Sequence, residues 1–586
     1  MRFTILKLSA LAGALAAAVF AAPVSHAAVR FSEATDALYS DATHGGRGWV
    51  VDYIPRADGS GILYLYGAAY DETGKQAWIT SNFEVKEFEF KKTDVPMAMP
   101  TGGRFGDTWP NAVTPVVNGK LDVELLSCGE LKITVKPDAA TGLPTSTQTL
   151  ISSADYVGSL GVNAVNDKCV QKRKFSACPT GTTLVADRTC QITGTIASNM
   201  TLTNETTWVL KGLVKVGADN SNKVKLTIEP GTLITGSGQA ADYLYVEPGS
   251  QIIAAGTPYA PIIFTSPADG VAGGAPKAGD WGGVVVSGNA PNNKCVAAPF
   301  DCRSEFDPTL RYGGDKPRES SGVIQYVQSR YAGYIFQTGR EVNSFTFQSV
   351  GDGTVVDHIQ AYRGKDDGIE FFGGNVNVKH AVITEAGDDG LDWDEGYTGN
   401  IQYVLLQHGT GLGEDNGIEA SNQNANQDAL PRATPNVSNL TMLGNGQGGY
   451  GVYFKEGTGG RIKNSLFAGF KKGCTFITNG PTFTAAGTPA ALTGTLSMDH
   501  NLLACDALNF AQAADAPWTA EAFYNAQAGN KVGDPLLQGF LPKAGSPLLD
   551  SGLSSNNVWF TPVGYIGAFR DASDDWTRNW TTGLTR

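Results

Sequence analysis

Charge is scarce in this chain: Asp, Glu, Lys and Arg make up 17 % of its 586 residues, and only 6 residues are histidine. Runs rich in Leu, Lys and Glu are few, which excludes a protein built from long amphipathic helices. CxxC spacing is missing, which excludes the common zinc-binding modules. No phosphate-cradling glycine loop or dinucleotide fingerprint occurs, so no organic cofactor is expected. No Ser–His–Asp or Cys–His set can be placed on one face. Beyond residue 22 no apolar run is long enough to span a bilayer as a helix, so no transmembrane segment is expected. Acidic residues outnumber basic ones by 57 to 44, a net charge of −13. Nucleic acid is therefore not expected as a partner, because phosphate binding needs clustered Lys and Arg.

What the chain does have is glycine, 72 residues of it, among short apolar stretches. That texture predicts an all-β chain with many tight turns. Residues 1–27 read as an export signal: Arg2 and Lys7 supply a positive start, residues 8–22 are almost wholly apolar, and Ser25-His26-Ala27 offers a cleavage site. The mature protein is then expected in the periplasm, on the cell surface or in the medium. Eight cysteines in an exported chain favour disulfides. Close spacing suggests Cys178–Cys190, Cys295–Cys302 and Cys474–Cys505, leaving Cys128–Cys169, although spacing alone does not fix connectivity.

Residues 28–136 read as a small antiparallel β domain with Trp49 and Trp78 as core anchors, and 137–195 as a cysteine-containing linker. Residues 196–552 are repetitive. Leu226-Thr-Ile-Glu-Pro-Gly-Thr232 is echoed by Leu244-Tyr-Val-Glu-Pro-Gly-Ser250, each an apolar strand closed by Pro-Gly. Strands starting at Val356, Val378, Ile401, Val437 and Ile462 align in one column with steps of 22, 23, 36 and 25 residues. A second column starts at Gly368, Gly390, Gly417, Gly451 and Gly473 with steps of 22, 27, 34 and 22. Two columns sharing a period near twenty, with extra residues in the turns, predict stacked coils of a parallel β-helix. In the second column Ile369, Leu391, Ile418, Val452 and Cys474 share a parity with Phe371, Trp393, Ala420, Phe454 and Phe476, which is expected to face inward. The aromatic residues of 553–586 are expected to cap an open end of the solenoid.

The run Leu226–Thr232, the segment Gly279-Asp-Trp-Gly-Gly283 and the tail Tyr565-Ile-Gly-Ala-Phe569 with Asp575-Trp576 resemble a widespread family of exported bacterial right-handed parallel β-helix proteins. The wider likeness is to the pectate-lyase-like superfamily. Activity in the family is unsettled, so the resemblance implies the fold and little chemistry.

The strongest constellation is acidic. Glu370, Asp392 and Glu419 take one outward position on successive coils, roughly 5 Å apart per step. Asp394 follows Asp392 by two residues. Asp366-Asp367, Asp388-Asp389 and Asp415-Asn416 form a second ladder at the corner. Stacked carboxylates repel unless a cation, a proton or a base compensates. One reading of the corner residues is turn chemistry, each side chain bonding its own backbone. A second gives Glu370, Asp392 and Glu419 to calcium, with Asp394 adding to a glycan-binding surface. A third is catalysis by Asp392 and Glu419 as an acid–base pair, or by Lys455 as a base near bound calcium. His358 and His380 share a position with Tyr403, Asn439 and Asn464 and are expected to form a polar ladder rather than a metal site. Asp388-Asp389, His408-Gly409 and Arg461-Ile-Lys463 match polygalacturonase motifs in order, but the alignment sends them to different sides. A secreted, carbohydrate-interacting and calcium-dependent β-helix is therefore expected, its partner a polysaccharide or cell-surface glycan. A non-catalytic adhesin, and a lyase or hydrolase acting on the 366–456 face, are the alternatives.

Overall fold

The computed structural model describes residues 37–152 and 175–586, apart from 41–47, 57–59, 71–75, 87–88, 90, 100–115, 128–129, 219–222, 239–240, 272, 338–339, 410, 412, 414 and 506–507. The export signal and the Cys128–Cys169 pair lie outside the described residues. Eight strands, from Ala37–Ser40 to Ser146–Ser152, pair antiparallel in chain order, and the last pairs with the first to close a barrel. Alternation puts Leu63, Leu65, Ile79, Leu121, Ile133 and Leu150 inside. Trp49 is buried with them and donates its Nε1–H to Gln148 Oε1 at 3.1 Å. Trp78 is not a core anchor. It has the parity opposite to Ile79, is 41 % exposed, and stacks on Tyr66 at 5.1 Å. The closing strand Ser146–Ser152 lies inside the stretch read as linker.

From Thr189 the chain changes to parallel pairing, and the coils form a right-handed parallel β-helix. Val378 pairs with Val356 and Leu391 with Ile369, as the aligned columns require. First-column strands such as Val355–Tyr362 and Asn377–Thr384 are bent in the middle. At the bend stand His358, His380, Tyr403, Asn439 and Asn464, with φ of 55°, 51°, 63°, 60° and 52°. The left-handed turn falls on these residues and not on Gly368, Gly390, Gly417 or Gly451. Gly368, Gly390 and Gly417 serve close packing instead: a Cβ on Gly390 would lie 1.9 Å from Leu406 Cδ1 and 2.7 Å from Gly417 O.

The last strand of the aligned second column departs from the expected register. Val452 pairs with Thr475 and Tyr453 with Phe476, a step of 23 rather than 22. Thr475 and Ile477 therefore face inward, and Phe476 turns out to a half-exposed position. Cys474 is still buried because it is joined to Cys505. Cys178–Cys190 and Cys295–Cys302 are also joined.

The aromatic tail does not close an end. Phe483, Ala486, Ala520, Phe523 and Tyr524, from the short helices Gly480–Ala486 and Ala520–Asn525, enter the core at the late coils. The tail runs back along the wall toward earlier coils, held by reciprocal amide pairs. Asn464 bonds Leu553 at 2.9 and 3.0 Å, Gln402 bonds Thr561 at 2.9 and 2.9 Å, and Gln360 bonds Thr582 at 3.0 and 2.7 Å. Each side chain imitates a strand backbone, offering one donor and one acceptor. Trp576 and Trp580 meet the stacked rings of His358 and His380 edge-on.

Candidate functional site: an acidic face on the coils

Parallel register brings the acidic ladder together: Glu370 stands beside Asp392, and Asp392 beside Glu419. Trp393 is fully buried, as its parity requires, so the neighbouring Asp392 and Asp394 point away from the core. Outward does not mean solvent, however. Glu370 is only 8 % exposed, and Asp392, Asp394 and Glu419 are half-buried. The cover is the stretch between strands Val284–Ser287 and Phe345–Gln348, two connections joined by the wall strand Gly322–Arg330. From it Asn343 Nδ2 donates to Glu370 Oε2, while Lys294 Nζ and Tyr312 O–H each reach Glu395 at 2.6 Å. These partners were missed in the sequence because nothing in their local spacing ties them to the ladder.

The inner corner residues act between coils, whereas Asp366 bonds the backbone of Asp367 beside it, as turn chemistry predicts. Asp367 Oδ1 accepts the Asp389 N–H at 2.9 Å, Asp389 Oδ1 accepts that of Asn416 at 2.6 Å, and Asn416 Oδ1 accepts that of Tyr450 at 2.8 Å. Each inner acid thus ties its corner to the next coil, a structural role that the outer members Asp366, Asp388 and Asp415 do not share.

The electrostatics follow from crowding and burial. Loss of water, and then the surrounding carboxylates, push Asp367, Glu370, Asp389 and Asp392 well above the usual carboxylate range. By the same causes Asp366 is pushed to about 8 and Asp394 to about 7. Glu305, from the first of these connections, is pushed to about 7, although its side chain keeps solvent contact and so counts for less. Oxygens of Asp367, Glu370 and Asp392 lie within 4.8 Å of one another, and so do those of Asp389, Asp392 and Glu419. Asp392 belongs to both groups, and its Oδ1 is shut off from solvent with no hydrogen-bond partner. An all-oxygen donor set of this kind suits a hard divalent cation and offers nothing to a soft one.

Lys455 pairs with Glu419 at 2.9 Å, not with Asp394 or Glu456. Burial works against its charge, but Glu419, Asp392 and Glu456 outweigh it and hold the ammonium well above its usual range. A lysine so held keeps its proton, which disfavours it as a base. Beyond Glu419 the same outward column continues as Tyr453 and then Phe476. Phe476 stacks on Tyr453 at 5.1 Å and on Tyr450 at 4.5 Å. Lys472 bonds Asp415 at 2.7 Å and lies 5.6 Å over the Tyr450 ring. The acidic rungs therefore run straight into a half-exposed aromatic patch, which the misaligned last strand of the column hid from the sequence reading.

The Asp357, His358 and His380 group is of another kind. The two imidazoles stack 4.2 Å apart and both turn Nδ1 to Asp357, at 2.9 and 2.7 Å, beneath the tail. Stacked on each other and on Tyr326 and Tyr403, and met edge-on by Trp576 and Trp580, the two rings form a packing ladder.

No curated protein and no solved structure matches the chain. Residues 194–536, more than half of it, match the family model described as pectate-lyase-like beta helix domain, which suggests a carbohydrate-related protein. The matched stretch covers nearly all of the stacked coils and the whole acidic face, and the chain accordingly belongs to the pectate-lyase-like β-helix family.

Proposed function

We propose that the face carrying Glu370, Asp392, Asp394 and Glu419 holds calcium and, through it, binds a polysaccharide or cell-surface glycan outside the cytoplasm. The observation that carries this reading is Asp392 Oδ1: a carboxylate oxygen, cut off from water, without a hydrogen-bond donor, among other carboxylate oxygens. Such an atom costs several kcal/mol unless a proton or a cation meets it. Glu370, Asp392 and Glu419 supply the ladder, with Asp367 and Asp389 adding oxygens from the corner. Tyr450, Tyr453 and Phe476 give a sugar ring a surface to stack on beside the ion. The three disulfides fit an exported chain. Binding is favoured over catalysis because the lysine nearest the ladder is locked in an ion pair.

The test is a screen of the purified mature protein against acidic and neutral polysaccharides, with calcium and with EDTA. Retention on at least one glycan in calcium, lost in EDTA and lost in Asp392→Asn, is the expected result. Retention that is indifferent to both would sink the proposal, and release of reducing ends or unsaturated products would replace it with an enzymatic one.

A further inference from the structure

Where the tail crosses the strands Asn377–Thr384 and Asn400–Gln407, a cavity of about 810 Å³ remains between tail and wall. That volume suits a small molecule. The wall contributes His380 and Tyr403 to its lining, and the tail contributes Asp550, Tyr565, Asp574 and Trp576. No residue of the acidic face reaches it.

Several polar groups converge on this space. The His380 ring lies between His358 at 4.2 Å and Tyr403 at 4.9 Å, one coil to either side, so both its faces are covered. Its Nδ1 stands 2.7 Å from Asp357 Oδ1. Only the far edge, which carries Nε2, is left to line the cavity. Burial opposes the charge of Asp357, but His358 and His380 outweigh it, so the carboxylate stays ionised and takes the Nδ1–H. Nε2 is then a bare acceptor, with no hydrogen-bond partner among the described residues. The hydroxyls of Tyr403 and Tyr565 bond each other. Burial holds both phenols above their usual range and the Asp574 charge adds to this, which places that carboxylate near the pair. Asp574 spends Oδ2 on the Arg570 N–H at 2.9 Å and keeps Oδ1. Asp550 is exposed and makes no ion pair or side-chain hydrogen bond among the described residues.

These groups select a kind of ligand. Asp550, Asp571 and Asp574 in the lining repel an anion. Arg570, the lining's guanidinium, is held by Asp571 at 2.8 Å and works against a cation. What remains is a set of acceptors that calls for hydroxyl donors, beside the apolar surface of Leu549, Val563 and Trp576.

We infer that this cavity binds a neutral saccharide, its hydroxyl groups donating to His380 Nε2, Asp550 and Asp574 and its C–H face resting on the apolar lining. The inference shares no residue and no ion with the calcium reading, so the two can fail separately. Isothermal titration of the mature protein in EDTA would use cellotetraose, maltotetraose, mannotetraose, tetraglucosamine and a galacturonate tetramer. At least one of the three neutral sugars is expected to bind, and neither charged tetramer should. Asp550→Gly removes one acceptor, and glycine suits the φ of 53° at that position. His380→Phe keeps a flat ring in the stack and offers no acceptor. Each should weaken binding about tenfold, as loss of a hydrogen bond to a charged or oriented group does. Asp392→Asn and added calcium should leave it unchanged. Three results would overturn the inference: no neutral sugar binds, Asp550→Gly binds as tightly as the unchanged protein, or a charged tetramer binds as tightly as a neutral one. Asp550 is exposed, so its variant decides the matter even where His380→Phe unsettles the wall.

Discussion

Asp392 owes its character to its position. Its parity is visible in the chain, since Leu391 and Trp393 on either side are buried. Its company is visible as well, because Glu370 and Glu419 fall on the same outward position of the neighbouring coils. Two unit charges about 5 Å apart repel by roughly 3 kcal/mol at a protein-surface dielectric, before screening. A cation that binds only the folded ladder stabilises it by about 2.7 kcal/mol at a hundredfold excess over Kd. Millimolar calcium is therefore expected to raise the melting temperature, and Asp392→Asn to remove most of that gain. Sodium chloride at matched ionic strength is the control; if it stabilises equally, the ladder is a screened acidic surface and no more. Lys455 supports the same face from the other side. Lys455→Met strands Glu419 among acids, so it should destabilise by about 1–3 kcal/mol in EDTA and by less in calcium. Denaturant melts in the two buffers check this.

Among the elements, strand columns were readable because side-chain parity has a period of two and coils repeat in chain order. Four first-column steps were read without error, even across the 36-residue one from Ile401 to Val437. The last second-column step was not, because Gly473 and Cys474 are as acceptable in one register as in the next. Only the pairing of Val452 with Thr475 decides it, and with it the outward turn of Phe476. The tail was misread for a related reason. Aromatic residues after a last repeat fit an end cap, but Gln360 and Gln402 sit on the wall and bond strand-like to the passing backbone. Gln360 is buried, so Gln360→Ala removes its two hydrogen bonds to Thr582 and a longer one to Thr384, and leaves Thr582 groups unmet. A loss of about 1–3 kcal/mol is expected. Amide exchange over 576–586 should rise, and Trp576 and Trp580 emission should shift red, while the coils stay protected. Unchanged exchange would mean that the aromatic contacts alone hold the tail.

At the scale of the whole molecule, the buried acids link stability to pH. Asp366 and Asp394 rise from 3.8 to about 8 and about 7. The folded chain then keeps protons that the unfolded chain has released, so their contribution is full below about pH 4 and is lost as pH rises to about 8. Asp357 has the opposite sign: burial opposes its charge, but His358 and His380 outweigh that, and its contribution fails only in stronger acid. Without divalent cation the melting temperature is therefore expected to fall between pH 4 and pH 8. With calcium the fall should be smaller, because the ion takes the place of the protons. Calorimetry at three pH values with and without calcium tests both signs, and a rise with pH in EDTA would contradict the burial of these groups. The amino-acid sequence by itself determined the stacked coils, the inward parity of all but the last aligned strand and the stacking of three acids, and its close cysteine spacing suggested three disulfides, because each depends on short-range periodicity or spacing. Tertiary structure alone decided that Glu370 is roofed over, that Asp392 Oδ1 lacks a donor, that Lys455 chooses Glu419 and that the tail lies along the wall. Those outcomes depend on connections and a tail that meet the coils from far along the chain, where no local period carries information about what will touch what.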